Sequence, residues 1–449
     1  MIYRSQIPKE VLDILIVLQS SNYPSFLVGG CLRDLLLNKE PKDYDICTKA
    51  RPEQVKSLFT KVIDTGIKYG TVTVLAGDFP VEVTTFRKVV FNPDGPRASE
   101  ITFGTEAIED VLKRDFTING LLFDGKQVID YVGGKVDLEN RIIRAIEEPD
   151  SRFKEDPLRM VRAIRFCCQL GFYIEPDTLK AIEDNKSQIA NVSPERIRNE
   201  VNKILLSNRP DEGFRLFHQT GLLKFILPEL EQCYGFKQQN PHHSQDVFDH
   251  IMTVTRNVSP DLKIRWAALL HDIGKPLTFS IDENGIGHFY EHNLKSYELA
   301  KEILTRLKFD KKMIREVSLL IKEHMSKLKS PKRNTIKRLI NRVGVENINE
   351  LLELQIADVK RPETIQEVDN LQLIKAEVEA IIKEKEPIHP RELAINGDDL
   401  KALGIKPGKI MGRILADLLE KVIDSPELNT RQSLLSLVEK MELDREGKD

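Results

Sequence analysis

The chain has 449 residues, of which 41% are hydrophobic and 31% charged. That balance fits a soluble protein of two to four domains and excludes a disordered chain or one small module. The 67 basic and 70 acidic residues leave a net charge of −3, so any attraction for nucleic acid has to come from local patches. No stretch approaches the roughly 20 uncharged apolar residues of a membrane helix. Met1-Ile-Tyr-Arg leads into the amphipathic Val11-Leu12-Asp13-Ile14-Leu15 without signal-peptide architecture, which predicts a cytoplasmic protein. Cysteines at 31, 47, 167, 168 and 233 are too scattered for a disulfide framework or a Cys-rich zinc site and read as reduced core residues.

From Ser25 to about Asp130, the apolar runs Phe26-Leu27-Val28, Thr71-Val72-Thr73-Val74-Leu75 and Val81-Glu82-Val83-Thr84 are punctuated by glycine or proline and predict an α/β domain. Its first turn, Val28-Gly29-Gly30-Cys31-Leu32-Arg33-Asp34, sets two glycines between a strand and a helix. Without Cβ atoms the backbone can approach a phosphate, the helix end points free N–H groups at it, and Arg33 adds a charged donor. Asp43-Tyr44-Asp45-Ile46 carries two carboxylates at i and i+2, on one face if the segment is a strand. Two hard oxygen ligands suit Mg²⁺. Glu82 points away from the core-facing Val81 and Val83 and completes a candidate three-carboxylate site, in which two metal ions activate a hydroxyl and stabilise a leaving pyrophosphate. Singly, each feature is an ordinary turn or strand residue.

Beyond Arg141 apolar residues recur every three or four positions, as in Asp156 to Cys168 and Glu195 to Leu206, and predict helices. Asp156-x-x-Arg159-x-x-Arg162-x-x-Arg165 would keep a carboxylate and three guanidiniums near one helical stripe, able to read a base edge and meet phosphate. The polar Gln238-Gln239-Asn240-Pro241 opens a region that holds seven of the nine histidines, at 242, 243, 250, 271, 288, 292 and 324. Glu384 to Pro390 reads as a linker before a small helical unit.

Together, Gly29-Gly30-x-x-Arg33-Asp34, Asp43-x-Asp45, Glu82-Val83-Thr84-Thr85-Phe86-Arg87 and Lys113-Arg114-Asp115-Phe116-Thr117-Ile118-Asn119-Gly120 resemble the class II nucleotidyltransferases, the bacterial tRNA CCA-adding enzymes and poly(A) polymerases. The likeness runs on through Asp130-Tyr131-Val132-Gly133-Gly134, Glu155-Asp156-Pro157-Leu158-Arg159 and Glu195-Arg196-Ile197. It implies that Asp43 and Asp45 hold catalytic Mg²⁺ and that Glu82 helps to activate the 3′-hydroxyl. Gly30, Arg33 and Arg114 would meet the nucleotide's phosphates, Asp115 and Asn119 would lie near its sugar, and Gly29 and Asp34 belong to the same nucleotide-binding set. Asp156 and Arg159 would act as a protein template selecting CTP, then ATP, with Arg162 and Arg165 on phosphate. Lys113 stands where many members have arginine. The acidic and arginine positions expected after Phe86-Arg87 fall near Val89 and Pro96, with Arg97 one place late. That stretch, Phe86 to Phe103, is implied to switch nucleotide specificity, which keeps CC-only and A-only addition open.

His271-Asp272-Ile273-Gly274-Lys275-Pro276, set in the series His250, His271, Asp272, His288, His292, His324 and Asp358, resembles the signature of HD-domain phosphohydrolases. By that likeness His250, His271, Asp272 and Asp358 hold a divalent metal of unknown identity, His292 and His324 complete a second position, and Lys275 lies near a phosphate. Imidazole and carboxylate suit a transition metal or Mg²⁺, and the implied chemistry is hydrolysis of a phosphomonoester or cyclic phosphodiester. His218, His242, His243 and His389 read as ordinary polar residues.

Between Lys322 and Arg342 there are eight basic residues, at 322, 327, 329, 332, 333, 337, 338 and 342, against one acid, Glu323. Such a run contacts RNA phosphates or simply solvates a helix face. Leu403 to Gly412 resembles the tail of CCA-adding enzymes, and equally fits a helix-turn-helix unit. The expected organisation is an α/β head with a small mixed sheet at 1–140, a helical neck and body at 141–237, an HD domain at 238–383 and a helical tail at 390–449. The expected function is addition of C and A to the 3′ end of tRNA from CTP and ATP, without a nucleic-acid template. CC-only or A-only addition and poly(A) synthesis are the alternatives, and an HD-type phosphohydrolase with an RNA-binding N-terminal half is the reading from a different class. Intact Asp43, Asp45 and Glu82 favour the transferase.

Overall fold

Val11, Ile14, Leu15 and Leu18 are buried at the spacing of one helix face, and that face covers the first strand of the sheet that organises the N-terminal part. A computed structural model describes residues 2, 4–77, 79–89, 101–239, 245–360 and 364–446. Pro96 and Arg97 of the expected specificity element, and His242 and His243, lie outside the described residues. The chain forms two compact units, Met1–Pro228 and Glu229–Asp449.

In the first unit the order is α1 (Lys9–Ser20), β1 (Ser25–Val28), α2 (Gly30–Leu36), β2 (Asp45–Thr48), α3 (Pro52–Leu58), β3 (Val62–Gly66), β4 (Thr71–Ala76) and β5 (Phe79–Thr85). There follow β6 (Arg87–Val89), β7 (Ile101–Phe103), α4 (Ala107–Val111), β8 (Leu122–Phe123), β9 (Val128–Ile129) and α5 (Gly134–Glu139). The sheet runs β3-β4-β5-β2-β1-β8-β9, with β6 and β7 as a separate hairpin. It is mixed, as expected: β2 and β5 are parallel and the other pairs antiparallel. Alternation decides which side chains reach the site. Val81 and Val83 are buried while Glu82 is exposed.

The helical remainder of this unit contains β10 (Ile142–Ile143), α6 (Pro149–Glu155), α7 (Leu158–Leu170), β11 (Tyr173–Ile174), α8 (Pro176–Asn185), α9 (Pro194–Leu205) and α10 (Pro210–Gln219). Helix α7 is the hub, packing on α9 and α10. Phe116 is fully buried and meets Phe166 of α7 edge to face at 5.7 Å. Burial of a side chain of that size is worth about 3 kcal/mol, and it holds the neighbouring Asp115 against Arg162 of α7.

Among the described residues the second unit is helical apart from one hairpin, Phe279–Ile281 with Gly287–Phe289. Its last helices, Gly397–Ala402, Lys409–Asp424 and Arg431–Glu446, share a core of Leu400, Ile414, Leu418 and Leu434. The first two form the helix-turn-helix read in Leu403 to Gly412, with Gly404 and Gly408 at positive φ of 84° and 151°. Among the described residues no helix is long and apolar enough to cross a membrane. All five cysteines are buried and free, as expected.

Candidate active site and metal centre

The first constellation lies where β1 turns into α2. Val28 pairs with Asp45 across β1 and β2, and Asp45 is in direct register with Glu82 across the parallel β2 and β5, so the two carboxylates leave the sheet on one face. Tyr44 O accepts a bond from Glu82 N and carries the pairing back one residue. Tyr44 is buried and Asp43, which precedes β2, is exposed, and the charge of Asp43 acts on Asp45. Gly29 sits at φ 84°, where a Cβ would come within 3.1 Å of Arg114 Nη1 and 3.6 Å of Asp45 Oδ2. The missing side chain lets the carboxylate and the guanidinium meet over the turn.

Burial raises the Asp45 carboxyl from 3.8 to about 6, helped by the charges of Asp43 and Glu82 and opposed by Arg114. The concentration of negative charge is what a hard divalent cation would relieve, so these oxygens fit Mg²⁺. The three carboxylates do not close into a tight cage, however. Groups of three or more ligand atoms within 4.8 Å of one another occur among the described residues only in the second unit. Asp43 and Glu82 are exposed and Asp45 half-buried.

Beside this turn a cavity of about 500 Å³ is lined by Arg87, Lys113, Arg114, Asp115, Glu155, Asp156, Leu158, Arg159, Arg162 and Arg196. Six cations face three acids there, so the cavity suits an anion. Predicted residues are joined in one network: Arg162 donates to Asp115 Oδ2 at 2.8 Å, Asn119 Nδ2 to Asp115 Oδ1 at 3.0 Å, Arg33 to Asn119 Oδ1 at 2.9 Å, and Arg33 also to Asp34 Oδ1 at 2.9 Å. Arg162 lowers the Asp115 carboxyl against the opposing effect of burial. Gly30, Arg33, Asp34 and Asn119 support the wall rather than line it.

Asp156 sits between α6 and α7. Its Oδ1 takes the N–H of Leu158 at 3.2 Å and its Oδ2 takes Arg196 at 2.8 Å. Arg159 donates to Glu155 at 2.5 Å and to the carbonyls of Arg152 and Lys113 at 3.1 Å, an orientation fixed from three sides. Arg165 departs from the expectation. It does not line the cavity but forms an ion pair with Glu200 of α9, the side chains 9% and 6% exposed. Each three-residue step falls about 60° short of a helical turn, so two steps carry Arg165 about 120° round from Arg159. Glu155, Arg196, Arg87 and Lys113 are site residues to which the sequence reading gave no role. The Glu155 to Arg159 spacing of four, acid first, was the available signal.

The second constellation is in the other unit. His250 comes from the helix Val247–Asn257, His271 and Asp272 follow Leu262–Leu270, His292 opens His292–Arg306, His324 follows Lys311–Glu323, and Asp358 lies on Ile348–Val359. They form two groups sharing Asp272: His250, His271, Asp272 and Asp358, and Asp272, His292 and His324. Asp272 Oδ2 is 3.4 Å from His250 Nε2 and 3.3 Å from His271 Nε2, while Oδ1 is 3.2 Å from His292 Nε2 and 3.8 Å from His324 Nε2. His271, His292 and His324 each use Nδ1 on the carbonyl three residues back, of Ala268, Phe289 and Ile321, at 2.8, 2.7 and 2.6 Å. With Nδ1–H donating there, Nε2 is left as the ligand atom. His271 Nε2 is buried without a hydrogen bond. Asp272 and Asp358 overcome burial and raise His271 to about 10, while burial lowers His324 to about 3. These donors fit a pair of metal ions.

Lys275 is buried against Asp272 Oδ2 at 2.7 Å and Gln238 Oε1 at 3.0 Å, so it holds a candidate ligand. His288 pairs with Asp282 at 2.9 Å on the hairpin, outside both groups. The basic run is also largely consumed. Lys327 pairs with Asp358, Arg333 with Glu377, Glu384 and Glu386, Lys337 with Glu386, Arg338 with Glu420 and Asp424, and Arg342 with Glu323.

Comparison with known proteins assigns residues 25–144 to the poly(A) polymerase head domain. Residues 171–234 match the "Probable RNA and SrmB-binding site of polymerase A", and 289–438 match tRNA nucleotidyltransferase domain 2. A CCA-adding enzyme of Limosilactobacillus reuteri is 31% identical over 97% of this chain and 96% of its own length, and one of Enterococcus faecalis is 34% identical over 96% of each. The chain belongs to the CCA-adding enzyme family. It is thus a nucleotidyltransferase. The crystal structure of a Bacillus stearothermophilus CCA-adding enzyme in complex with CTP matches with a TM-score of 0.76 at 27% identity, covering 98% of this chain and 99% of that one.

Proposed function

We propose that the chain rebuilds the 3′ end of tRNA, adding C from CTP and A from ATP and releasing pyrophosphate. The observation that carries this reading is the in-register pair Asp45 and Glu82, with the charge of Asp43 acting on Asp45, beside a cavity rich in guanidinium groups. The CTP complex of the Bacillus stearothermophilus relative supports it. The four segments 1–140, 141–237, 238–383 and 390–449 would serve as head, neck and body, HD domain and tail. The tail grips the tRNA body, and the fitting compartment is the cytoplasm.

Asp43 and Asp45 would hold Mg²⁺, which supplies Lewis acidity at the α-phosphate and the 3′-oxygen. Glu82 receives the proton of the 3′-hydroxyl. The 3′-oxygen bonds to the α-phosphorus, the bond to the β-phosphate breaks, and pyrophosphate leaves toward Arg114. Asp156 accepts from the exocyclic amine, and Arg159 donates to the ring acceptor beside it. Cytosine and adenine both offer that donor and acceptor, whereas guanine and uracil present an oxygen that the carboxylate repels. The test is incubation of tRNA lacking its last three nucleotides with Mg²⁺ and labelled CTP or ATP, read base by base. Ordered C, C, A incorporation is expected; C alone or A alone selects a partial enzyme, and no label from either defeats the reading.

The raised Asp45 adds a pH dependence. A protonated carboxyl does not ligate, so transfer should fall as pH drops through about 6 at limiting Mg²⁺. Proton and metal compete, so tenfold more Mg²⁺ should move that midpoint down by up to about one pH unit. Initial rates across pH at two Mg²⁺ concentrations check this, and a midpoint indifferent to Mg²⁺ would remove Asp45 from the ligand set.

A second reading concerns the other unit and rests on the three imidazoles locked with Nε2 inward. We infer that His250, His271, Asp272 and Asp358 hold one divalent ion and Asp272, His292 and His324 another. Four imidazoles favour a transition metal over Mg²⁺. Ions there would supply Lewis acidity for hydrolysis of a phosphomonoester or cyclic phosphodiester.

A further inference from the structure

Asp110 is the most deeply placed acid beside the anionic cavity. It lies on α4 with its side chain 0% exposed. Arg114, four residues on, donates to its Oδ2 at 3.0 Å, and Arg87 Nε stands 3.7 Å from its Oδ1. Both guanidiniums line the cavity. Asp110 Oδ1 and Arg87 Nε are buried without a hydrogen bond, each aimed at the other. A lone carboxylate is expensive to bury unless paired. This one is paired to two cations whose remaining N–H groups open on the ligand space. Asp115 stands in the same relation to Arg162.

We propose that Asp110 is a positioning residue for triphosphate recognition, holding Arg114 over the Gly29 turn and Arg87 at the cavity rim so that both guanidiniums meet the phosphate chain of the incoming nucleotide. The proposal rests on the reading of this cavity as the nucleotide site. Without a buried anion behind them, Arg87 and Arg114 would repel each other and the other cavity cations, and both are long enough to turn away. Asp110 acts on phosphates and not on the base, so its effect is the same for CTP and ATP.

The test uses the full chain and tripolyphosphate, which carries the charge of the nucleotide without base or sugar. Asp110→Asn is expected to raise the inhibition constant of tripolyphosphate and the KM values for CTP and ATP by a common factor of about ten, leaving the order C, C, A intact. Asp110→Glu should recover part of the loss. A merely structural residue would lower the melting temperature and the active fraction while leaving KM and the inhibition constant unchanged, and that result overturns the proposal. Arg87→Gln, at a half-exposed position that folding tolerates, should shift both constants in the same direction by a smaller factor; no shift there also counts against it. Failure of tripolyphosphate to compete with CTP in the wild-type protein overturns the cavity reading itself. Equal competition in wild type and Asp110→Asn overturns only the role of Asp110.

Discussion

Asp45→Asn is expected to abolish nucleotide transfer while making the metal-free protein more stable. Loss of a ligand to the ion that stabilises the transition state removes several kcal/mol, so the rate should fall about a thousandfold or more. The stability sign follows from the titration. A carboxyl raised from 3.8 to about 6 on folding costs the folded state nothing below pH 4, costs progressively more as pH rises, and carries its full cost above pH 6. At neutral pH that cost is about 3 kcal/mol by the value of a pKa unit, and the amide, which has no charge to bury, escapes it. Thermal melts in the presence of a chelator at pH 7.5 and pH 4 check this: the variant should melt higher at the first pH and lose its advantage at the second. A lower melting temperature at both would mean that Asp45 is a structural group.

The second large effect belongs to Asp272, whose two oxygens face four histidines. Asp272→Asn should strip both ions from the second unit and abolish any phosphate ester hydrolysis. His292→Ala should remove one ion and leave the group built on Asp358. Transfer should survive in both variants, because the head supplies its own carboxylates. Metal content by mass spectrometry and hydrolysis of p-nitrophenyl phosphate read the first claim, and labelled CTP incorporation the second. The metal-free Asp272→Asn protein should also melt several kcal/mol less stable, since Lys275 and His271 lose their buried partner. Because His271 holds its proton up to about 10, loading the wild-type centre at pH 7 should release about one proton per centre into weakly buffered solution. Full metal occupancy in Asp272→Asn, or loading without proton release, would contradict the ligand assignment.

Much of the site was legible because local periodicity is readable in one dimension. The alternation around Glu82 and the spacing of Asp43 and Asp45 pointed to three neighbouring carboxylates, and the glycines at 29 and 30 marked the turn between strand and helix. The histidine series was legible by residue type, although the bond from each Nδ1 to a carbonyl three residues back is a property of the helix ends. Long-range pairing was not legible. The basic run from 322 to 342 fits either a phosphate-binding face or a solvated helix face by sequence, and neither reading contains the pairing with Glu377, Glu384, Glu386, Glu420 and Asp424. Arg165 was misplaced by treating a three-residue repeat as a straight stripe, when the pitch carries it toward Glu200. Asp110 and Arg114 carry the same acid-first spacing of four as Glu155 and Arg159, but the second partner, Arg87, is more than twenty residues away, and that pairing was not legible.

The central claim is that the head carboxylates chelate a divalent cation beside the nucleotide. Electron paramagnetic resonance of Mn²⁺ in the full chain carrying Asp272→Asn, which silences the second unit, measures this directly in the presence of CTP. Bound Mn²⁺ is expected, and it should disappear when Asp45→Asn is added. Mn²⁺ bound equally with and without Asp45 would contradict the claim.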